Sequence, residues 1–309
     1  MDNVAVHAQD TVRPLTLAEQ LLSIFLRALP IKHGRHRLLD YIAPRAFTQD
    51  GMLVEIALNG KHIIVDPSDL VGWHFAILKS FDPEVVEILN AACEGSNGEV
   101  FWDIGANKGS CFCGLAAKRN NVRVVAIEPQ ASLAPTNLHN LQTLCSTGYE
   151  YVQAGIGESE TELELTIPEN NKGRASLNLR NKRPTDVTEK IKIKTAKNIA
   201  SQSKYGWPSL IKLDVEGYEP QVIRALAPCF SQGHCKVLVF ENHKRETAAF
   251  DEIRKLIVPH GYNLYGIKKT PWATYLLPCE AQIENTTDYA AIRKDTADSN
   301  RALGRLIHH

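Results

Sequence analysis

The segment Asp103-Ile104-Gly105-Ala106-Asn107-Lys108-Gly109-Ser110 gathers the residue types best suited to hold a small ligand. It follows a short apolar run, Val100 to Asp103, and opens a helix expected from about Ser110 to Arg119. In a sheet of parallel strands, ligands bind beyond the carboxyl ends of the strands, most often at the first strand-to-helix turn. Gly105 and Gly109 remove side chains where backbone must approach a ligand. The spacing D-x-G-x-x-x-G differs from the G-x-G-x-x-G that brings a pyrophosphate onto a helix N-terminus. A carboxylate at the strand end suits a cationic group instead, so Asp103 is expected to accept from an ammonium or to sit near a sulfonium. Glu128 closes the next apolar run and Pro129 turns the chain. A carboxylate there can take both hydroxyls of a ribose. Together these features point to an adenosine-containing cofactor without phosphate, and S-adenosylmethionine fits.

A second group lies further along. Asp214-Val215-Glu216-Gly217-Tyr218-Glu219 carries its carboxylates just ahead of Pro220, where a helix is expected to start. Asp214, at the strand terminus, is the functional candidate, whereas Glu219 is accounted for by the positive end of the helix dipole. Another apolar run ends in Glu241-Asn242-His243. A histidine beside a carboxylate is a general base for a hydroxyl, with a plain surface histidine as the alternative. Asp214 with Glu241 and Asn242 also offers three hard oxygen donors of the kind Mg2+ prefers, and such an ion would acidify an acceptor hydroxyl. The C-x-C pair Cys111 and Cys113 has no second pair at zinc spacing and reads as small packing residues.

The elements that must position these residues follow from periodicity. Leu15 to Leu29 reads as an amphipathic helix with an apolar face at Leu17, Leu21, Leu22, Phe25 and Leu29; it docks on its own domain or on a membrane surface or partner. Met52 to Leu58 and His62 to Val65 form two strands across Asn59-Gly60, a hairpin signal. Pro83 to Cys93 reads as a helix with Asp82 as its N-cap. From residue 99, short apolar runs alternate with helical stretches, the mark of a parallel α/β sheet. The strands are Val100 to Asp103, Val122 to Glu128, Glu150 to Ala154, Leu210 to Asp214 and Lys236 to Glu241. A hairpin-like pair, Tyr262 to Ile267 and Ala273 to Leu277, adds two at one edge. Thr161 to Ile167 and Ile191 to Thr195 flank a polar loop, Pro168 to Asp186, which is either a solvated hairpin or a lid or acceptor-binding insertion. The chain thus divides into a prelude over 1–95, a cofactor-binding domain over 96–280 with an insertion at 158–198, and a loose polar tail over 281–309.

FWDIGANKGS, VVAIEP with Asn140 beyond it, LIKLDVEGYEPQVI and VLVFENH together resemble the FkbM family of S-adenosylmethionine-dependent methyltransferases. The resemblance covers about residues 50 to 280. It implies a Rossmann-like class I methyltransferase sheet of seven strands, the last antiparallel, and O-methylation of a hydroxyl on a sugar or other small-molecule or glycan acceptor. It further implies that Asp103, Gly105, Ala106, Asn107, Gly109 and Ser110 surround the methionine end, that Glu128 and Pro129 serve the ribose, and that Ala154 to Gly157, Gly155 among them, line the adenine. The set Asp214, Glu241 and Asn242 is similar to the metal ligands of catechol-type O-methyltransferases. Lys108 departs from the family, standing where an apolar residue is common, and so does Cys111-Phe112-Cys113.

Composition narrows the field. With 309 residues, 44% of them apolar, the chain can bury a large core. Equal numbers of basic and acidic residues, 35 each, leave no broad positive field for nucleic acid. The basic stretch Lys182, Arg183, Lys190, Lys192, Lys194 and Lys197 is all that supports an RNA methyltransferase, and a solvated face explains it better. No run is long and apolar enough for a spanning helix, the start Met1-Asp2-Asn3 lacks a basic signal region, and seven irregularly spaced cysteines suit reduced thiols, so a cytoplasmic protein is expected. A nicotinamide-dependent oxidoreductase on the same sheet, and a non-catalytic module that only binds the cofactor, are the competing readings.

Overall fold

The computed structural model describes residues 11–44, 52–96, 98–168, 175–177, 183–243 and 247–308. The prelude begins with strand β1 (Thr11–Pro14) and two helices, α1 (Leu17–Ala28) and α2 (Arg35–Ile42). Strand β2 (Met52–Leu58) pairs parallel with β1 and turns back into β3 (Lys61–Val65). Asn59 and Gly60 both take positive φ, 50° and 75°, as the tight hairpin turn requires. A capping box of Thr16 and Glu19 starts α1. The face it docks is rotated from the expected one: Leu22 and Leu29 pack on the core as expected, but Leu17, Leu21 and Phe25 are exposed, and Ser23 and Leu26 are buried instead. The Ser23 hydroxyl donates to the Ile77 carbonyl of α3 (Leu70–Leu78), which fits this rotation.

The rest of the chain alternates as the periodicity predicts. Helix α4 (Pro83–Ala92) leads to β4 (Val100–Ile104), α5 (Ser110–Lys118), β5 (Arg123–Ile127), α6 (Ala134–Leu144) and β6 (Tyr149–Val152). Next come three insertion strands, β7 (Gly155–Gly157), β8 (Thr161–Ile167) and β9 (Val187–Thr195). Then follow α7 (Ala196–Gln202), β10 (Leu210–Leu213), α8 (Glu219–Ala225), α9 (Ala227–Ser231), β11 (Val237–Glu241) and α10 (Thr247–Ile257). The chain closes with β12 (Tyr262–Lys269), β13 (Thr274–Pro278), β14 (Asp288–Arg293), α11 (Lys294–Ser299) and α12 (Arg301–Gly304).

Eight strands form the main sheet in the order β6-β5-β4-β10-β11-β14-β12-β13. The first five are mutually parallel, and β14 runs antiparallel to both β11 and β12. This is the Rossmann-like methyltransferase sheet with one added edge strand, β13, so the strand count is eight rather than seven. The strand order reverses between β4 and β10, which places a crevice beyond their carboxyl ends. Alternate residues feed two cores, as the pleat dictates: Phe101, Val124 and Leu210 face one layer of helices, and Trp102, Val125 and Ile211 the other.

The polar tail expected after residue 280 is corrected here. Its strand β14 inserts between β11 and β12, with Tyr289 to Ile292 fully buried. A strand covered on both faces shows no apolar-polar alternation, and this one is short and bounded by Asp288 and Arg293. The insertion strands form their own sheet, β7-β9-β8. Glu162 and Glu164 lie directly opposite Lys192 and Lys190, so opposite charges pair across its outer face. Lys190 and Lys192 are the centre of the basic stretch; Lys182 lies outside the described residues. All seven cysteines are free thiols, and Cys111 and Cys113 are core residues. Among the described residues no helix is long and apolar enough to cross a membrane.

Candidate active site

The turn after β4 is held from below. Asp103 is fully buried, its Oδ2 accepts from the Phe112 amide at 3.0 Å, and its Oδ1 lies 3.8 Å from the Lys212 ammonium. Burial pushes its carboxyl up to about 6, with Lys212 pulling the other way. The expectation that Asp103 faces the cofactor is therefore corrected: it caps the start of α5 and anchors a lysine beneath the turn. Lys212 donates to the Gly105 carbonyl at 2.9 Å and lies 3.2 Å from Asp214 Oδ2. Burial alone would lower its ammonium, but Asp214 and Asp103 more than offset this and hold it above the ordinary lysine range. The two glycines also serve the protein's own packing. A Cβ on Gly105 (φ 72°) would stand 1.9 Å from the Asp214 carbonyl oxygen, and one on Gly109 (φ 75°) 2.4 Å from the Phe112 ring. Lys108 is buried and ties the turn to the segment after β3, bonding the Asp66 carbonyl at 3.0 Å, Asp66 Oδ2 at 2.9 Å and Asp69 Oδ2 at 2.9 Å. An apolar residue here would leave two acids without their cation, which explains the departure from the family pattern.

Above this turn runs a slot lined by Gly105, Asn107, Glu128, Pro129, Ala154 and Gly155, with Asp214 and Glu216 toward the neighbouring strand end. Glu128 joins two of its loops. One carboxylate oxygen accepts from the Asn107 amide at 2.8 Å and the other from the Gln130 amide at 3.0 Å, while burial shifts the carboxyl upward. Leu165, Ile191 and Ile193 of the insertion sheet form the opposite wall, and Ser176 donates to the Glu216 carbonyl at 2.7 Å. The insertion thus faces this slot with its apolar side. Ala106, Gly109 and Ser110 do not line the slot; they shape the turn and the first residue of α5.

The strand ends beyond the slot are acidic. Glu219 Oε1 accepts from the Val215 amide at 3.0 Å and the Gly217 amide at 3.3 Å, holding a loop in which Glu216 takes a φ of 53°. Its burial raises the carboxyl to about 7. The Glu241 carboxyl is raised well above the ordinary carboxylate range by burial and by repulsion from Asp214, Asp288 and Glu216. His243 is partly exposed, with Nδ1 3.6 Å from Glu241 Oε1 and Nε2 3.9 Å from Glu216 Oε2. Asn242 is buried; its backbone N–H donates to the Thr287 carbonyl and its side-chain Nδ2 to the His243 carbonyl at 3.4 Å. Among the described residues no three His, Cys, Asp or Glu side chains converge to hold a metal ion.

The methyltransferase FkbM domain model matches residues 103–264, just over half of the chain. The chain belongs to the FkbM methyltransferase family. With that family it is an S-adenosylmethionine-dependent methyltransferase. No curated protein matches its sequence. Three solved structures similar to this FkbM chain are a precorrin-6Y C5,15-methyltransferase from Geobacter metallireducens, an S-adenosylmethionine-dependent O-methyltransferase from Thermotoga maritima and a methyltransferase from Agrobacterium tumefaciens. The first is 14% identical with a TM-score of 0.39, over 70% of this chain and 93% of that one. For the second the values are 14%, 0.37, 71% and 69%. For the third they are 10%, 0.41, 80% and 72%.

One element of the FkbM site escapes a sequence reading. Lys212 is visible only as a lysine interrupting the apolar strand Leu210–Leu213, and its role depends on two acids brought beside it by the sheet. Asn140, one of the residues that carry the resemblance, serves the scaffold. Its amide both accepts from the Ile64 amide and donates to the Ile64 carbonyl, pinning the hairpin edge to α6.

Proposed function

We propose that this FkbM protein is an O-methyltransferase acting on a hydroxyl of a sugar or other small-molecule or glycan acceptor. The observation that carries the reading is the slot at the ends of the first strands, which joins a glycine turn, a buried ribose-type carboxylate and an acid-lined opening beside Asp214 and Glu216. Its residues fit S-adenosylmethionine chemically. Each oxygen of Glu128 accepts one backbone N–H and keeps further acceptor capacity for ribose hydroxyls. Ile156, Leu165, Ile191 and Val222 supply apolar sides for a purine, and Gly105 and Asn107 leave room for the methionine end. The cofactor, when bound, supplies a methyl group on a cationic sulfur.

The chain's own contribution is positioning and proton transfer. His243 is the proposed base that takes the acceptor's hydroxyl proton, and the imidazolium so formed faces the Glu216 carboxylate. Glu241, whose carboxyl burial and neighbouring acids shift upward, lies 3.6 Å from the other ring nitrogen. Asp214, the second candidate, is already engaged by Lys212 at 3.2 Å, which favours a positioning role. No metal is needed for this assignment. The phosphate-binding glycine trio of a nicotinamide oxidoreductase is missing from the turn, which disfavours that alternative.

The reading is tested with labelled methyl donor and a panel of glycans, glycolipids and hydroxylated metabolites, read by mass spectrometry. An ether-linked methyl on one class supports it; label on carbon or nitrogen only, or no transfer with cofactor bound, overturns it. His243→Ala is expected to keep cofactor affinity and lower turnover by about 10²–10⁴-fold. Unchanged turnover in that variant removes His243 as the base.

A further inference from the structure

A second cavity, of about 500 Å3, lies between the prelude and the strand ends. The FkbM match begins only at Asp103, so its walls from α2 and the start of α4 fall outside the matched segment. Its inner end abuts the acidic row of the site. Glu84 in its wall bonds Lys269, which also reaches Asp288 at 3.0 Å, and Asp288 pairs across the sheet with Glu241. Asp82 also lines it, in the left-handed region at φ 45° and without capping α4 as its sequence position predicts. Burial, together with repulsion from Glu84, Asp288 and Asp214, raises the Asp82 carboxyl.

The outer end is basic. Arg35 and Arg37 line it, and neither has a carboxylate within ion-pair distance among the described residues, whereas Lys32 is paired with Glu87 and Lys269 with Glu84 and Asp288. Arg35 donates through one terminal nitrogen to the Leu29 carbonyl at 2.8 Å, yet its Nε is buried and has no hydrogen-bond partner among the described residues. Burial and the neighbouring Arg27 both act against its charge. A buried guanidinium N–H without an acceptor is costly, and each guanidinium presents a planar fork of donors that fits a carboxylate or a phosphate. Along one wall the rings of His36, His74 and Phe81 form a ladder, with centroids 5.8 Å and 6.3 Å apart, against which a sugar or other ring can pack.

We propose that this cavity is the acceptor site and that it selects a small hydroxylated acceptor bearing an oxyanion, a phosphate or a carboxylate, bound by Arg35 and Arg37 while its hydroxyl points toward Asp82 and the strand ends. This rests on the methyltransferase reading above and adds the charge class of the substrate. The test uses the full chain and three probes by calorimetry: glucose 6-phosphate, glucuronate and neutral glucose, with S-adenosylmethionine titrated separately. One or both anionic probes are expected to bind about tenfold or more tightly than glucose, and their ranking tells phosphate from carboxylate. Arg37→Gln, whose side chain makes no hydrogen bond among the described residues, is expected to weaken the anionic probe about tenfold or more while leaving cofactor affinity unchanged; Arg35→Gln acts in the same direction. Equal binding of all three probes, or an unchanged anionic affinity in Arg37→Gln, overturns the proposal even with normal cofactor binding. Failure of the wild-type chain to bind cofactor instead counts against the methyltransferase reading, and the probe titrations still decide this one.

Discussion

Replacing Glu128 by Gln keeps its size and removes its charge, and the surroundings make the outcome calculable. One oxygen accepts from the Asn107 amide at 2.8 Å, the other from the Gln130 amide at 3.0 Å. A glutamine has one acceptor oxygen and one donor nitrogen, so either orientation of its amide turns an N–H toward a backbone N–H. One buried donor is left without an acceptor, and the apo protein should lose about 1–3 kcal/mol of stability. A second loss appears only with cofactor. Ribose hydroxyls that would donate to a carboxylate lose a charged acceptor worth about 1.5–3 kcal/mol, so S-adenosylmethionine should bind about 10- to 150-fold more weakly. Urea unfolding of the apo protein measures the first effect and calorimetric titration the second. Should stability fall while cofactor affinity stays at the wild-type value, Glu128 ties the two loops but does not hold the ribose. Unchanged values in both would refute the geometric argument altogether.

Lys212→Met should cost about 3–5 kcal/mol at pH 7, because Asp103 loses its cation in full burial. The deficit should shrink at pH 5, below the Asp103 value of about 6, and a deficit independent of pH in urea melts would contradict this. Glu219 titrates near 7 in the fold against an ordinary 4.5, so the native state binds its proton more tightly than the unfolded chain. Its stabilising share is therefore full below pH 4.5 and falls away as the pH rises through about 7, by about 3 kcal/mol. Glu219→Gln keeps an acceptor for both loop amides and should flatten that slope, as read from urea midpoints at pH 5 and 7.5. Gly105→Ala should destabilise by about 2–5 kcal/mol, through a left-handed backbone and a Cβ driven into the Asp214 carbonyl, and a melting temperature equal to wild type would exclude that clash.

Where the determinants are local, the sequence reading and the structure agree. The five parallel strands, the Asn59-Gly60 hairpin, Pro83 at the start of α4 and the glycine turn after β4 each follow from spacing within about ten residues. Glu128 lines the slot because residues ending parallel strands share one edge of the sheet, and Ala154 and Gly155, which the family resemblance implies, line it too. The misreadings have a common cause. Asp103 sits at a strand end as expected, but its direction depends on Lys212, more than a hundred residues away, whose ammonium draws it under the turn. Helix α1 turns a rotated face inward, where Ser23 meets Ile77, and β14 hides in a polar-looking tail because burial on both faces leaves no alternation to read.

Sequence by itself therefore determined the five parallel strands and the helices between them, the glycine turn after the first of them and the resemblance to the FkbM family. Tertiary structure alone decided which carboxylates face the slot and which are paired beneath it, how the insertion sheet walls it, and that α2 and α4 enclose a basic cavity beside the acidic strand ends. The division is physical. Backbone conformation and apolar periodicity are local properties, while desolvation and charge pairing depend on neighbours that only the folded chain brings together.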